Sequence, residues 1–187
     1  KFQKICNYVE KEVNVHKCMP TCRQHNANKY LWSITEEGKE PTKDINLKDT
    51  YETRIYLMFF HFSILMIIFK NKGKKFDQKQ YDQLFNNIEN NLRELGYGDI
   101  AVNKKMKDLN KILYDILLKI KPHFKKESVV NFNQHIFIKY FGELGELDNP
   151  KYKEIESYFS NFYNYCSKLS LDNILKEVIN FKNNGSS

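Results

Sequence analysis

An all-α fold is expected from three features of this chain. Apolar residues recur at helical rather than alternating spacing, and glycine or proline stands at the ends of the periodic runs. One fifteen-residue stretch, Ile55 to Phe69, is apolar on every side. The expected architecture is a single compact multi-helix domain around a central apolar helix at about 55–69, preceded by an irregular N-terminal segment. At 187 residues the chain is one domain's worth and buries roughly two-thirds of its unfolded surface, so it needs neither metal nor disulfide to fold.

Residues 1–48 form the least regular part. Phe2, Ile5, Cys6 and Val9 lie at helical spacing, and a polar run from His16 to Asn28 follows. Tyr30, Leu31, Trp32 and Ile34 form a short apolar cluster before a loop with Gly38 and Pro41. The body begins at Asp49, which with Glu52 has the form of a capping box opening the Ile55–Phe69 helix. A bilayer span needs about 20 apolar residues, and Glu52, Arg54 and Lys70 bound this run, so it reads as a core helix. A second helix is expected over Asp77–Leu95, with Tyr81, Leu84, Phe85, Ile88, Leu92 and Leu95 on one stripe and Gly96 as a left-handed cap.

The third helix is placed at Asn103–Lys121, with Met106, Leu109, Ile112, Leu113, Ile116, Leu117 and Ile120 facing inward and Pro122 ending it. A fourth covers Val130–Leu144. A fifth starts at Pro150, capped by Asn149, and puts Ile155, Phe159, Phe162, Cys166 and Leu169 on one face. A last short helix over Leu171–Ile179 precedes a frayed tail, 182–187. The helical domain is thus 49–181.

Chemistry is sparse. His16, Cys18, Cys22 and His25, with Cys6 nearby, come nearest to a metal site, but zinc normally takes two well-separated ligand pairs, and here all are compressed into ten residues. The cysteines read as unpaired thiols in a reducing compartment, and no metal or cofactor is expected. No nucleophile elbow, metalloprotease motif, phosphate loop or dinucleotide fingerprint occurs, so no catalytic residue is assigned and the chain is not read as an enzyme. His61 and Ser63 are the polar residues of the central helix. His61 is read as a core histidine bonded to a carbonyl or a tyrosine rather than as a general base or haem ligand. His123 and His135 have no carboxylate partner in sequence.

The net charge of +7 invites an anionic partner, yet of the 30 basic residues only Arg23, Arg54 and Arg93 are arginine, and the other 27 are lysine. Phosphate and base recognition favours the guanidinium fork, and the lysine excess suits drift toward an A/T-rich coding composition. Lys104, Lys105, Lys107 and Lys111 open the expected third helix, where the dipole disfavours cations. Two readings stand: a solvated face, or a surface whose anionic partner offsets that cost.

One stretch is more particular than a helical stripe demands: Asn91-Leu-Arg-Glu-Leu-Gly-Tyr-Gly-Asp-Ile-Ala-Val-Asn-Lys-Lys-Met-Lys-Asp-Leu. It resembles the signature of the ubiquinol–cytochrome c chaperone family of mitochondria and alphaproteobacteria: a helix end like Asn-Leu-Arg-Glu, then Gly-x-Gly-Asp, then Val-x-Lys-Lys-x-Lys. Asp49-Thr50-Tyr51 followed by the helix with His61, and Asn149-Pro150 through Tyr158 with Leu171 to Phe181, are further matches. The resemblance covers residues 45–181, roughly three-quarters of the chain, and leaves 1–44 unmatched.

The resemblance implies a non-enzymatic assembly factor for ubiquinol–cytochrome c reductase, complex III. Such a factor receives newly made cytochrome b, works with a small co-chaperone and associates with the mitoribosome. It lies peripheral to the inner membrane on the matrix side, without a transmembrane span; the alternative location is the alphaproteobacterial cytoplasm. The start at Lys1 rather than Met suits a processed mitochondrial precursor. Arg93, Asp99, Lys104, Lys105, Lys107 and Lys111 are the expected partner-binding residues. The competing functional reading is a ribosome- or RNA-associated basic helical protein with no cytochrome client, which steep salt dependence of RNA binding would favour. A third is an enzyme with its site in residues 1–44, which stoichiometric zinc would favour.

Overall fold

The computed structural model describes residues 47, 50–120, 123–124, 130–142, 150–174 and 181. Its elements are α1 (Tyr51–Asn71), α2 (Gln78–Glu94), α3 (Asp99–Lys119), β1 (His123–Phe124), β2 (Val130–Asn131), α4 (Gln134–Tyr140) and α5 (Pro150–Lys168). The described part is all-α. Its only strand pairing is a two-residue antiparallel ladder, His123 opposite Asn131 and Phe124 opposite Val130. The expected Cys/His cluster, the short helix near Val9 and the Tyr30–Ile34 cluster lie outside the described residues.

α1 is the central helix. It is long and apolar enough to cross a bilayer, but 67% of its most apolar window is buried inside the fold. Every other helix packs on it. Phe59 meets Phe85 of α2, Phe60 meets Phe137 of α4 and Phe159 of α5, and α3 lies alongside. Near 25 cal/mol per Å² of apolar surface removed from water, each buried phenylalanine contributes about 2–3 kcal/mol, which is why an apolar-all-round helix sits in the middle.

The cap that starts α1 is Thr50, one residue later than expected. Its hydroxyl accepts from the Thr53 amide at 3.1 Å and sits 2.9 Å from the Thr53 hydroxyl, so a threonine pair does the work assigned to Asp49 and Glu52. Asp77 caps α2 and Asn133 caps α4, each accepting from the amide two residues on. α3 begins at Asp99, four residues before the expected Asn103. The Gly98 carbonyl accepts from the Val102 amide, so the glycine–aspartate pair is the helix start itself, not a loop before it. α4 is shorter than the expected Val130–Leu144, because Val130 and Asn131 pair with the strand before them. Pro150 does open α5, where its missing N–H leaves no intrahelical bond unmade. Of the expected last helix, residues 171–174 form a turn ending in one helical residue, and 175–179 lie outside the described residues.

α1 and α2 end alike. Gly73 (φ 73°) and Gly96 (φ 86°) take the left-handed conformation. In α2 the Gly96 amide donates to the Arg93 carbonyl and the Tyr97 amide to Leu92. Nothing lies within 4 Å of a Cβ built on Gly96, so only the backbone resists a side chain there. Gly96→Ala is expected to destabilise the fold by about 1 kcal/mol, a fall in Tm of roughly 2–4 °C on thermal unfolding. An unchanged Tm would show that α2 does not need this cap.

The C-terminal residues close the molecule. Lys72 donates to the Leu169 carbonyl at 2.5 Å, and Asn71 donates to the Tyr163 hydroxyl at 3.3 Å, tying the end of α1 to the end of α5. Phe181 folds back over α5, with its ring 5.4 Å from Phe162 and 5.8 Å from Tyr158, and is buried.

Candidate functional site

The α2–α3 junction is built from local geometry. The glycine cap reverses the chain at Gly96, and the next helix starts at Gly98, so the end of α2 faces the first turn of α3. Arg93 spans the gap. Its Nη2 donates to Glu89 Oε1 at 2.9 Å along α2, and its Nη1 donates to Asp99 Oδ1 across the turn. Those two hydrogen bonds, Asp99 first and then Glu89, raise the guanidinium pKa further above its ordinary value. Arg93 and Asp99 therefore link the end of α2 to the first turn of α3 across an exposed surface.

The lysines of the signature divide. Lys105 lies over the Tyr97 ring with its Nζ 4.8 Å from the centroid, a cation–π contact. Lys111 donates to Asp108 at 3.0 Å. Lys104 and Lys107 are exposed and make no ion pair among the described residues. The dipole argument for an anionic partner does not survive. Since α3 begins at Asp99, Lys104 sits in the second turn, beyond the first turn where the dipole acts, and Asp99 supplies the favourable charge.

A second cluster has no counterpart in the sequence pattern. Asp115 on α3 accepts from Lys119 at 2.5 Å, Lys139 at 2.7 Å and the Tyr140 hydroxyl at 2.6 Å, joining α3 to α4. Partial burial pushes its pKa up, but the three donors outweigh that and hold the carboxyl well below the usual range. Burial, followed by the bond to Asp115, pushes Tyr140 upward in turn.

The buried polar centre is His61. Its Nδ1 lies 2.7 Å from the Leu57 carbonyl, which can only accept, so Nδ1 carries the proton. Nε2 is then the acceptor for the Tyr158 hydroxyl at 2.9 Å. Phe159 and Phe162 stand edge-on at 5.1 and 4.7 Å, and the ring is wholly buried. This is a neutral histidine fixed on both nitrogens. Ser63 is buried close by on the same helix, and its Oγ makes no hydrogen bond among the described residues. His135 is exposed and bonds Asn133 through Nδ1 at 2.9 Å. Burial pushes the Cys166 thiol far up, so it stays protonated and unreactive. Among the described residues no cluster of His, Cys, Asp or Glu could hold a metal ion, and His16, Cys18, Cys22 and His25 lie outside them.

What sequence reasoning misses is the apolar part of the α3 surface. Four large apolar or aromatic side chains are exposed among the described residues: Tyr97 (40%), Ile100 (89%), Tyr114 (52%) and Leu118 (67%). All belong to α3 or to the turn before it. A helix that starts at Asn103 leaves Ile100 outside it. Counted from Asp99, Ile100 shares one outward line with Leu118, opposite the core stripe.

Comparison with known proteins gives one finding. A family model described as ubiquinol-cytochrome C chaperone matches residues 43–144, the span holding α1 to α4 and the whole junction. No match is found among the curated proteins or the solved structures.

Proposed function

The chain belongs to the ubiquinol–cytochrome c chaperone family, and from that premise we propose that it shelters newly made cytochrome b, without catalysing a reaction, while complex III is put together. Family membership assigns the coarser role, assembly of ubiquinol–cytochrome c reductase. The client, the partners and the place are our reading. The client is a hydrophobic membrane polypeptide that needs cover before its redox partners arrive. A small co-chaperone shares the task, and the mitoribosome delivers the client. The protein works at the matrix side of the inner membrane, or in the alphaproteobacterial cytoplasm, with α1 serving as core rather than as a membrane span.

The observation that carries this reading is the family match itself, which runs through the Gly-Tyr-Gly-Asp junction and the lysines after it. Within that site we divide the roles. Arg93 and Asp99 brace α2 against α3, Lys105 packs on Tyr97, and Lys104, Lys107 and Lys111 face an anionic partner surface.

Capture of the tagged protein from respiring cells should bring down cytochrome b and one small companion protein. Cells deprived of the protein should lose mature cytochrome b and assembled complex III while other respiratory complexes persist. A normal level of mature cytochrome b in such cells would end this reading.

A further inference from the structure

We propose that the outward face of α3 is a lipid-contacting surface that lays the protein flat on an anionic bilayer. The inference deepens the functional reading above and rests on it for the biological setting, though not for the geometry. At about 100° per residue, Ile100, Lys104, Lys107, Lys111, Tyr114 and Leu118 fall within about 40° of one line along the helix. Ile100 and Leu118 mark its ends, roughly 27 Å apart at 1.5 Å per residue, and point the same way. The line is therefore straight, coplanar and convex. It is apolar at both ends and basic in the middle.

Each feature favours a planar anionic surface. Two aliphatic side chains at equal depth can enter the headgroup–acyl boundary together, and Tyr114, exposed at the edge of the line, has the ring-plus-hydroxyl character that settles at that boundary. The lysines have long methylene stems that let an ammonium group reach headgroup phosphates while the helix lies close. Acidic groups stand off the line: Asp99, Asp108 and Asp115 lie about 60° or more to either side. Asp99 is held by Arg93 and Asp115 by Lys119 and Lys139, while Asp108 takes Lys111 from the line itself, so Lys104 and Lys107 are its lysines without an acidic partner among the described residues. A second copy of the chain is disfavoured, because the three lysines would face three lysines. RNA would leave the exposed Ile100 and Leu118 without a role and offers lysine little of the bidentate contact that arginine makes. Tests therefore compare lipid with RNA directly.

The experiment is flotation of the full chain with vesicles of phosphatidylcholine alone and of phosphatidylcholine with about one-third phosphatidylglycerol. The chain should bind the second kind and hardly the first. Joint replacement Lys104→Gln, Lys107→Gln and Lys111→Gln should weaken that binding roughly 30- to 100-fold, and Ile100→Ser with Leu118→Ser about tenfold. These side chains are exposed, so Tm should hold. Leu118→Trp gives a reading that depends on no loss of contact, since its emission should shift to the blue only on the anionic vesicles. The control Lys70→Gln, Lys75→Gln and Lys79→Gln removes equal charge elsewhere and should leave binding within about threefold.

Equal loss in that control overturns the proposal in favour of net charge. Binding to single-stranded poly(U) that the α3 lysine variant abolishes, with no vesicle binding, overturns it in favour of RNA. Vesicle binding indifferent to both α3 variants also overturns it. Should the vesicle results hold while cells lacking the protein keep normal cytochrome b, the assembly reading falls and the lipid surface stands.

Discussion

Replacing Phe60 by alanine is expected to lower the unfolding free energy by about 4 kcal/mol and Tm by roughly 8–16 °C. Phe60 is wholly buried at the point where three elements meet. Its ring centroid lies 5.1 Å from Phe137 and 6.2 Å from Tyr140 of α4, 5.5 Å from Phe141 at the end of α4, and 5.3 Å from Phe159 of α5. Alanine removes the transfer free energy of a phenyl ring. It also leaves a cavity whose walls, themselves aromatic rings on separate helices, relax only in part. Phe60→Leu keeps most of the volume and should cost about 1.5 kcal/mol or less. Chemical denaturation of the two variants beside the parent checks both figures. A loss below about 1 kcal/mol for alanine would mean that α4 and α5 are held to α1 by something other than this aromatic joint.

Acidification should destabilise the protein through His61 by about 3 kcal/mol. Burial, opposed only by the bond to the Leu57 carbonyl, lowers the His61 pKa from 6.5 to about 4. In the unfolded chain the ring titrates at its ordinary value. Between those two pH values the unfolded state binds more protons than the folded one, so lowering the pH favours unfolding. The penalty is absent above about pH 6.5, grows by up to about 1.4 kcal/mol per pH unit, and is complete below about pH 4. Structurally, a proton on Nε2 would turn the acceptor of the Tyr158 hydroxyl into a donor inside an aromatic cage. His61→Asn should be less stable at neutral pH, yet its stability should fall less between pH 6.5 and 4. The difference between the two denaturation series over that range isolates the histidine. If the series run parallel, His61 titrates in the fold as it does in the unfolded chain, and the buried pair is misassigned.

Much of the helical body is legible in the amino-acid pattern. Periodicity places α2 and the inward faces of α3 and α5, because a stripe at helical spacing has no stable use except burial. Gly96 and Pro150 are legible for a different reason: backbone conformation at each is local and residue-specific. Helix starts are less so. Thr50 takes the cap that Asp49 offers, and α3 begins four residues early, since several polar residues near a terminus can each accept the same orphan amide. The early start changes the functional argument. It moves the lysines out of the dipole's reach and brings Ile100 onto the helix.

Composition and spacing were enough to settle that this chain is helical, that the Ile55–Phe69 run is its centre, and which family its glycine–aspartate junction resembles; each depends on neighbours within a few positions. Long-range pairing was decided in three dimensions. His61 and Tyr158 are 97 residues apart, and Asp115 collects Lys139 and Tyr140 from another helix. No local pattern encodes such partners, because any buried acceptor and any donor of suitable reach would satisfy the same free-energy requirement. Packing alone selects which pair meets, and by burying the inner stripe of α3 it also decides which side chains remain outside to face a partner.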